Sequence, residues 1–351
     1  MNIMEIMIKI ATDSKIVGAI ASSILIILFG YFLRKKEVFK DSTSKILSEV
    51  VLSAALPALA YNSFMQDING KSLKQAMNLL IWGFAMYVLL IIITKVLYIK
   101  FKGDKKEVLR VLTIFGSTTF FGIPITQAVY GATGVMYASI LNISYRAFLY
   151  SYGYVKMSGL KMDKANIKKI IFNPIVLATL FGMIIWVVQK SLPQVVVTEG
   201  GKTASYAFLR IDKTAAWLYS PLNYLAKLCS PLAWLAIGGK LATISLKEAV
   251  SSKECWYYTL MKVILVPALN IVALYILTVT GILKISHMAL ATVVIAMATP
   301  TATVAAAYSI SFDKEALTTS NCSFLSTIFS IVFMPIWIVA LEVIKQLNLF
   351  A

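Results

Sequence analysis

The chain has 351 residues, 59% of them hydrophobic and only 14% charged, against roughly 45–50% apolar residues in soluble domains; no water-soluble core could cover that much oily surface. Its formal charge of +17, from 33 basic and 16 acidic residues, sits in short gaps between apolar runs. That is the pattern of membrane-protein loops, and it argues against a nucleic-acid partner.

A helix crosses the hydrocarbon of a bilayer in about 20 residues, and ten stretches qualify: about 15–33, 46–65, 76–98, 109–130, 134–156, 169–189, 217–243, 256–279, 286–309 and 315–343. The first follows Lys9 and Lys15 and is closed at once by Arg34, Lys35 and Lys36, with no small-residue cleavage site. It therefore reads as a retained span and not a signal peptide. The second contains Pro57.

The fourth span differs from its surroundings. Gly116-Ser-Thr-Thr-Phe-Phe-Gly-Ile-Pro124 packs Ser117, Thr118 and Thr119 beside Gly122 and Pro124 in an otherwise oily segment. Pro124 lacks an N–H, and its ring opposes the carbonyl of Phe120. Gly122 removes the Cβ that would resist a sharp bend. The expected outcome is a break, with a second half-helix starting near Ile123 and aiming free N–H groups at the membrane midplane. The fifth span carries Arg146 roughly midway and Asn142 one turn earlier on the same face. An arginine at a helix centre costs about 2.5–3.5 kcal/mol on insertion scales, so it should face protein or water. Its fork suits a carboxylate ligand; bonding to carbonyls freed by a break, or snorkelling to the interface, are the structural alternatives.

Residues 190–213 are the one substantial polar connection, with Glu199-Gly200-Gly201 as its turn. The seventh span carries Pro221, Pro231 and Lys227, so its first part is a candidate to lie along the interface. Lys227, Lys240 and Lys262 are expected to snorkel. His287, the single histidine, begins the ninth span beside a loop. The ninth span repeats the fourth's design in Ala298-Thr299-Pro300-Thr301-Ala302-Thr303, followed by Ala305-Ala306-Ala307. Small residues there let another backbone approach closely. Cys229, Cys255 and Cys322 have no metal-ligand spacing and read as packing residues.

Basic residues set the expected orientation. The loops after spans one, three and five hold Arg34 to Lys45, Lys100 to Arg110, and Lys156 with Lys161, Lys164, Lys168 and Lys169. These should be cytoplasmic, leaving both termini outside. The sixth-to-seventh loop, with Lys190, Lys202, Arg210 and Lys213, is the exception. Ten spans divide into five and five about the basic loop, and an odd number inverts the second half. Pro57 then corresponds to Pro231, Pro124 to Pro300, and Asn142 roughly to Asn321. The expected fold is an all-α polytopic membrane protein of two inverted five-helix repeats, residues 1–157 and 169–345 joined by a cytoplasmic linker at 158–168, with helices four and nine broken and crossed.

Lipid cannot satisfy backbone groups freed in mid-membrane, so paired breaks persist only where protein or a water-filled cavity surrounds them. In secondary transporters such breaks are where substrate binds. Two half-helix N-termini meeting at the midplane would form an anion site without formal charge; the bland alternative is a pair of proline kinks whose hydroxyls bond their own preceding turns. No Asp or Glu falls at a span centre, so coupling to protons or sodium through a buried carboxylate has no visible residue. HExxH, GxSxG and Walker sequences are absent, as are paired intramembrane aspartates, and no enzyme activity is expected.

The successive stretches Ser53-Ala-Ala-Leu-Pro57-Ala-Leu, Ser117-Thr-Thr-Phe-Phe-Gly-Ile-Pro124, Asn173-Pro174, Ser230-Pro-Leu-Ala-Trp-Leu-Ala-Ile-Gly238, Lys262-Val-Ile-Leu-Val-Pro267 and Ser326-Thr-Ile-Phe-Ser-Ile-Val-Phe-Met-Pro335 resemble, in order, the signatures of the auxin efflux carrier family. With its short central loop, the chain is similar to the prokaryotic permeases of that family, often associated with malate, malonate or other organic acids. The resemblance implies inverted repeats with helices four and nine crossing at Pro124 and Pro300 beside the substrate. It also implies a scaffold of helices one, two, six and seven and a mobile transport domain from the rest. The chain departs from the family at Ser117, where asparagine is frequent, and at Thr119, where glycine is; Arg146 belongs to none of these motifs.

The expected activity is secondary transport of small organic anions (mono- or dicarboxylates such as malate, malonate or auxin-like acids) by alternating access in the plasma membrane. A sodium-coupled symporter of a related fold is the rival reading, with a channel or receptor behind it. The candidate substrate residues are Ser117, Thr118, Thr119, Gly122, Pro124, Asn142, Arg146, Thr299, Pro300, Thr301 and Thr303. Expected partners are the anion and the lipid bilayer, with a homodimer as a further option; no cofactor or metal is expected.

Overall fold

A computed structural model describes residues 12, 14–159, 172–199, 202–243, 246–347 and 349–350. Lys9, the basic residues Lys161, Lys164, Lys168 and Lys169 of the central connection, and the Gly200-Gly201 turn lie outside the described residues. The principal helices are α1 (Ser14–Lys35), α2 (Thr43–Ser63), α3 (Gly70–Leu97), α4 (Gly103–Ile114), α5 (Ile123–Phe148, two helical segments that meet at a turn at Gly131, where φ is +62°), α6 (Pro174–Val188), α7 (Ala216–Leu241), α8 (Lys253–Val279), α9 (His287–Met297), α10 (Thr303–Ser311) and α11 (Ala316–Gln346). Among the described residues, α2, α3, α8 and α11 are long and apolar enough to cross a membrane, while α6 and α9 are shorter and apolar.

Local chemistry fixes where helices start. Asn69 and Ser72 cap α3 reciprocally, Asn173 accepts from the N–H groups of Ile175 and Val176 ahead of Pro174, and Ser286 caps α9 through Ala289. Each side chain satisfies donors that a helix N-terminus leaves open. A π-helical turn precedes each of Pro57, Pro124 and Pro267: Val51–Ala55, Thr118–Gly122 and Met261–Leu265. A proline cannot donate to the carbonyl four residues back. Widening the preceding turn to bonds five residues apart lets the helix continue past the missing donor.

The mostly helical chain, consistent with the all-α expectation, forms two short strands between α6 and α7. Residues Gln194–Glu199 (β1) and Lys202–Ala207 (β2) form an antiparallel hairpin, pairing Gln194 with Ala207 and Glu199 with Lys202. The run of Val195, Val196, Val197 and Thr198 favours strand because β-branched side chains pack well on a pleat. The seventh apolar stretch is a single 26-residue helix that runs through both Pro221 and Pro231.

The helices pack in two groups. In the first, α7 lies along α1 and both α6 and α7 pack on α2; in the second, α8, α9, α10 and α11 pack together with α4, and α3 packs on α4 and α5. Contacts between the groups run chiefly through α5 and the turn that leads into it. Outward faces stay oily, with Leu25 and Phe29 on α1, Ile92 on α3, Ile184 on α6 and Val332 on α11 all exposed. That surface suits lipid and not water.

The α1–α7 seam depends on missing side chains. A methyl group at Gly238 would overlap the carbonyl oxygen of Ile27, and one at Gly30 would overlap that of Leu235. Small residues allow such backbone contact between membrane helices. Gly238→Leu should force the pair apart and cost about 1–3 kcal/mol, the usual penalty for overpacking. Gly18→Leu, where nothing lies within 4 Å, should leave the melting temperature in detergent unchanged.

Candidate functional site

Two helices stop inside the second group and restart a few residues later. The first interruption separates α4, ending at Ile114, from the turn beginning at Thr118; the second separates α9, ending at Met297, from α10, starting at Thr303. The two links meet. The Ser117 N–H donates to the Pro300 carbonyl at 2.8 Å and the Ala302 N–H donates to the Phe115 carbonyl at 3.0 Å, a short antiparallel bridge centred on Gly116 and Thr301. Each break thus supplies donors and acceptors that the other has lost, as groups without access to water require.

The position of the first break corrects the sequence reading. It falls at Phe115–Ser117 and not at Pro124; a π turn over Thr118–Gly122 follows the break, and α5 begins at Ile123 as expected. Pro124 lies in the first turn of α5, where the π turn absorbs its missing N–H. Gly116 marks the crossing because nothing larger fits: a methyl there would overlap the Thr299 hydroxyl and stand 2.9 Å from the Lys262 ammonium. Pro300 does lie within the second link.

The carbonyls at the stopped ends are capped from neighbouring helices. Tyr258 donates to the Leu112 carbonyl at 3.2 Å and Lys262 to the Thr113 carbonyl at 2.9 Å, while Ser330 donates to the Ala298 carbonyl at 3.0 Å. Lys262 is another correction. It was expected to snorkel from the start of a span, yet it is fully buried, because α8 begins at Lys253 and carries it nine residues, about 14 Å, into the helix. That depth is longer than a lysine side chain, which was the available signal.

The restarting ends border cavities through Ser117 and Thr303. Neither Ser117 nor Ala302 caps its helix through a side chain, so leading N–H groups remain available. Ser117 and Thr303 line two neighbouring cavities. One, about 150 Å³, is walled by Thr119, Phe120, Tyr145 and Arg146; the other, about 360 Å³, runs from Pro300 and Thr301 to Arg34, Lys40, Lys45 and Lys240.

Arg146 is 5% exposed. Its contacts are long, 3.4 Å to the Tyr150 hydroxyl and 3.4 Å to the Thr119 hydroxyl, and its Nε has no hydrogen-bond partner among the described residues. Other buried arginines differ: Arg110 pairs with Glu107 at 2.7 Å, and Arg210 with Asp67 at 2.9 Å and Asp212 at 2.8 Å. No carboxylate pairs with Arg146 among the described residues. A buried guanidinium so placed is an open acceptor of anions.

Of the expected site residues, Ser117, Thr119, Arg146, Pro300, Thr301 and Thr303 line the cavities. Thr118, Gly122, Pro124, Asn142 and Thr299 stand behind them. Asn142 accepts from Thr118 at 2.7 Å and from Thr119 at 2.8 Å and donates to the Ala138 carbonyl at 2.8 Å. Thr299 bonds the Ala296 carbonyl in its own preceding turn. Gly122 brings the π turn against α9, where a Cβ would stand 3.3 Å from the Thr299 methyl. The sequence reading missed Phe120, Tyr145 and Tyr150, whose aromatic side chains read as ordinary core until the breaks place them on a cavity wall.

A family model described as membrane transport protein matches residues 15–166 and 158–338. An uncharacterized transporter of Methanothermobacter thermautotrophicus is 22% identical over 337 residues, covering 92% of this chain and 97% of its own length. Uncharacterized transporter MJ1031 of Methanocaldococcus jannaschii is 20% identical over 234 residues, 65% of this chain and 69% of its own.

Replacing Asn142 by alanine removes the acceptor shared by Thr118 and Thr119, leaving the buried Thr118 hydroxyl without this partner and the Thr119 hydroxyl with its long contact to Arg146. The expected cost is about 2 kcal/mol, read as a lower denaturation midpoint of the purified protein.

Proposed function

We propose, from the premise that this chain belongs to the membrane transport protein family of auxin efflux carrier type, that it is a carrier of small organic anions working by alternating access. Membership makes it a multi-pass membrane transporter and not an enzyme. The substrate class is argued from the site, where a buried arginine without a carboxylate partner stands beside two helix starts.

The observation that carries the reading is Arg146, a buried guanidinium on a cavity wall with no carboxylate partner among the described residues. Holding a desolvated charge unpaired costs several kcal/mol, and a carboxylate arriving as a ligand recovers much of it through charge-assisted bonds. Leading N–H groups at Thr118 and Thr303 add the positive ends of two helix dipoles. Mono- or dicarboxylates such as malate, malonate or auxin-like acids carry the matching group. The basic residues along the larger cavity, Arg34, Lys40, Lys45 and Lys240, would raise the local anion concentration.

Alternating access needs one end open and the other closed. Opposite the basic cavity, Arg210 holds Asp67, Asp212 and Gln189 together, and Thr133 of α5 donates to Gln66 beside Asp67 at 3.1 Å. The Arg210 cluster ties together the ends of α2, α6 and α7, and the Thr133–Gln66 bond joins that end to α5 of the other group. In this reading α1, α2, α6 and α7 form the scaffold, and the group holding the crossed links moves against it. The ten apolar segments act as two inverted five-helix repeats, with the basic loops on the cytoplasmic side of the plasma membrane and both termini outside.

The test is a thermal-shift and proteoliposome-uptake panel of mono- and dicarboxylates. At least one should stabilise the wild type and be taken up saturably. Arg146→Ala should weaken that binding about 10–100-fold, the loss of about 1.5–3 kcal/mol for a charged hydrogen-bond partner. Undiminished binding by the variant, or no response to any carboxylate, would reject the assignment.

A further inference from the structure

Lys262 is buried more completely than its chemistry favours. It is 0% exposed, it lies deep in α8, and among the described residues no carboxylate pairs with it. The hydrogen bond it makes is to the Thr113 carbonyl, in the last turn of α4. Burying an ammonium costs several kcal/mol unless other groups compensate. The compensation here is the negative end of a helix dipole, equivalent to about half an elementary charge. Tyr258, one turn earlier on the same face of α8, caps the adjacent Leu112 carbonyl and bonds the Thr301 hydroxyl. One face of α8 therefore reaches both sides of the crossing.

The ammonium also presses on the crossing itself, since a methyl at Gly116 would lie 2.9 Å from Nζ and against the Thr299 hydroxyl. Remove the lysine side chain, and what remains beside the position of Nζ is the Thr113 carbonyl at a helix end, with the Thr299 hydroxyl on the other side of Gly116, both neutral oxygens. Such oxygens are the ligands that hard cations take when no carboxylate is present. The second stopped end differs: among the described residues, its Ala298 carbonyl receives the neutral Ser330 hydroxyl and no charged group.

We propose that the Lys262 ammonium is a tethered monovalent cation, occupying a position at the crossed links that would otherwise take sodium or potassium. The proposal rests on reading those links as the transport site. It adds that the site carries its own positive charge and binds its anion without an inorganic cation. Lys262 is a positioning residue: it holds the end of α4, and through Gly116 the register of the bridge to Pro300.

Thermal unfolding of the purified full chain tests this with no organic anion present, so its outcome is independent of whether carboxylates bind. At constant ionic strength, wild type should melt at the same temperature in sodium, potassium and N-methylglucamine chloride. Lys262→Ala should melt lower in N-methylglucamine and recover about half or more of the loss, saturably, on adding sodium, potassium or methylammonium, as a site-bound ligand requires. Lys262→Met, which fills the space without charge, should melt low and not recover. Saturable stabilisation of wild type by sodium or potassium would overturn the proposal. So would a Lys262→Ala protein as stable as wild type in N-methylglucamine, or one that no cation rescues. If neither variant can be purified, the wild-type comparison decides: insensitivity supports the proposal and saturable stabilisation defeats it.

Discussion

Everything distinctive in this protein follows from one constraint: a helix that stops among apolar surroundings must find partners for the peptide groups it exposes. Water is unavailable there, and each unmet donor or acceptor costs several kcal/mol. The molecule answers by stopping two helices at the same place. Phe115 and Ser117 exchange hydrogen bonds with Ala302 and Pro300, so the links satisfy one another as two strands would. The crossing is possible because Gly116 has no side chain where Thr299 and Lys262 converge.

Satisfying the links still leaves the helix ends, and the molecule treats the two polarities differently. Stopped ends, which present carbonyls, are covered by Tyr258, Lys262 and Ser330. Restarting ends, which present N–H groups, lack side-chain caps at Ser117 and Ala302 and lie on cavities. The asymmetry produces a region that is positive without relying on many charged residues. Arg146 reinforces it from α5, held loosely through Thr119, which Asn142 in turn fixes. A guanidinium with slack contacts and no carboxylate partner among the described residues differs from Arg210, which two aspartates hold.

Much of this was legible in the chain. The apolar runs marked the helices because their length and oiliness admit few other structures. Proline and hydroxyl residues in oily segments marked both interruptions, since such residues are costly there without a purpose. Arg146 stood out for the same reason. Other features were not legible. Pro124 drew the break toward itself, yet a π turn lets α5 pass through it, as happens again at Pro57 and Pro267. The strand character of Val195–Thr198 was masked by the turn and charges around it.

The sequence by itself determined which segments avoid water, where the backbone is interrupted and which charges lie among apolar neighbours. These are properties of composition along a line, set by transfer free energy and by the chemistry of proline. Tertiary structure decided which interruption meets which, that Lys262 reaches a helix end in place of an interface, and that Asn142 supports the site from behind. Those depend on contacts between residues 23 to 187 positions apart, the ends of that range being Asn142 with Thr119 and Phe115 with Ala302. Their energies arise only when helices pack, so no local pattern along the chain encodes them.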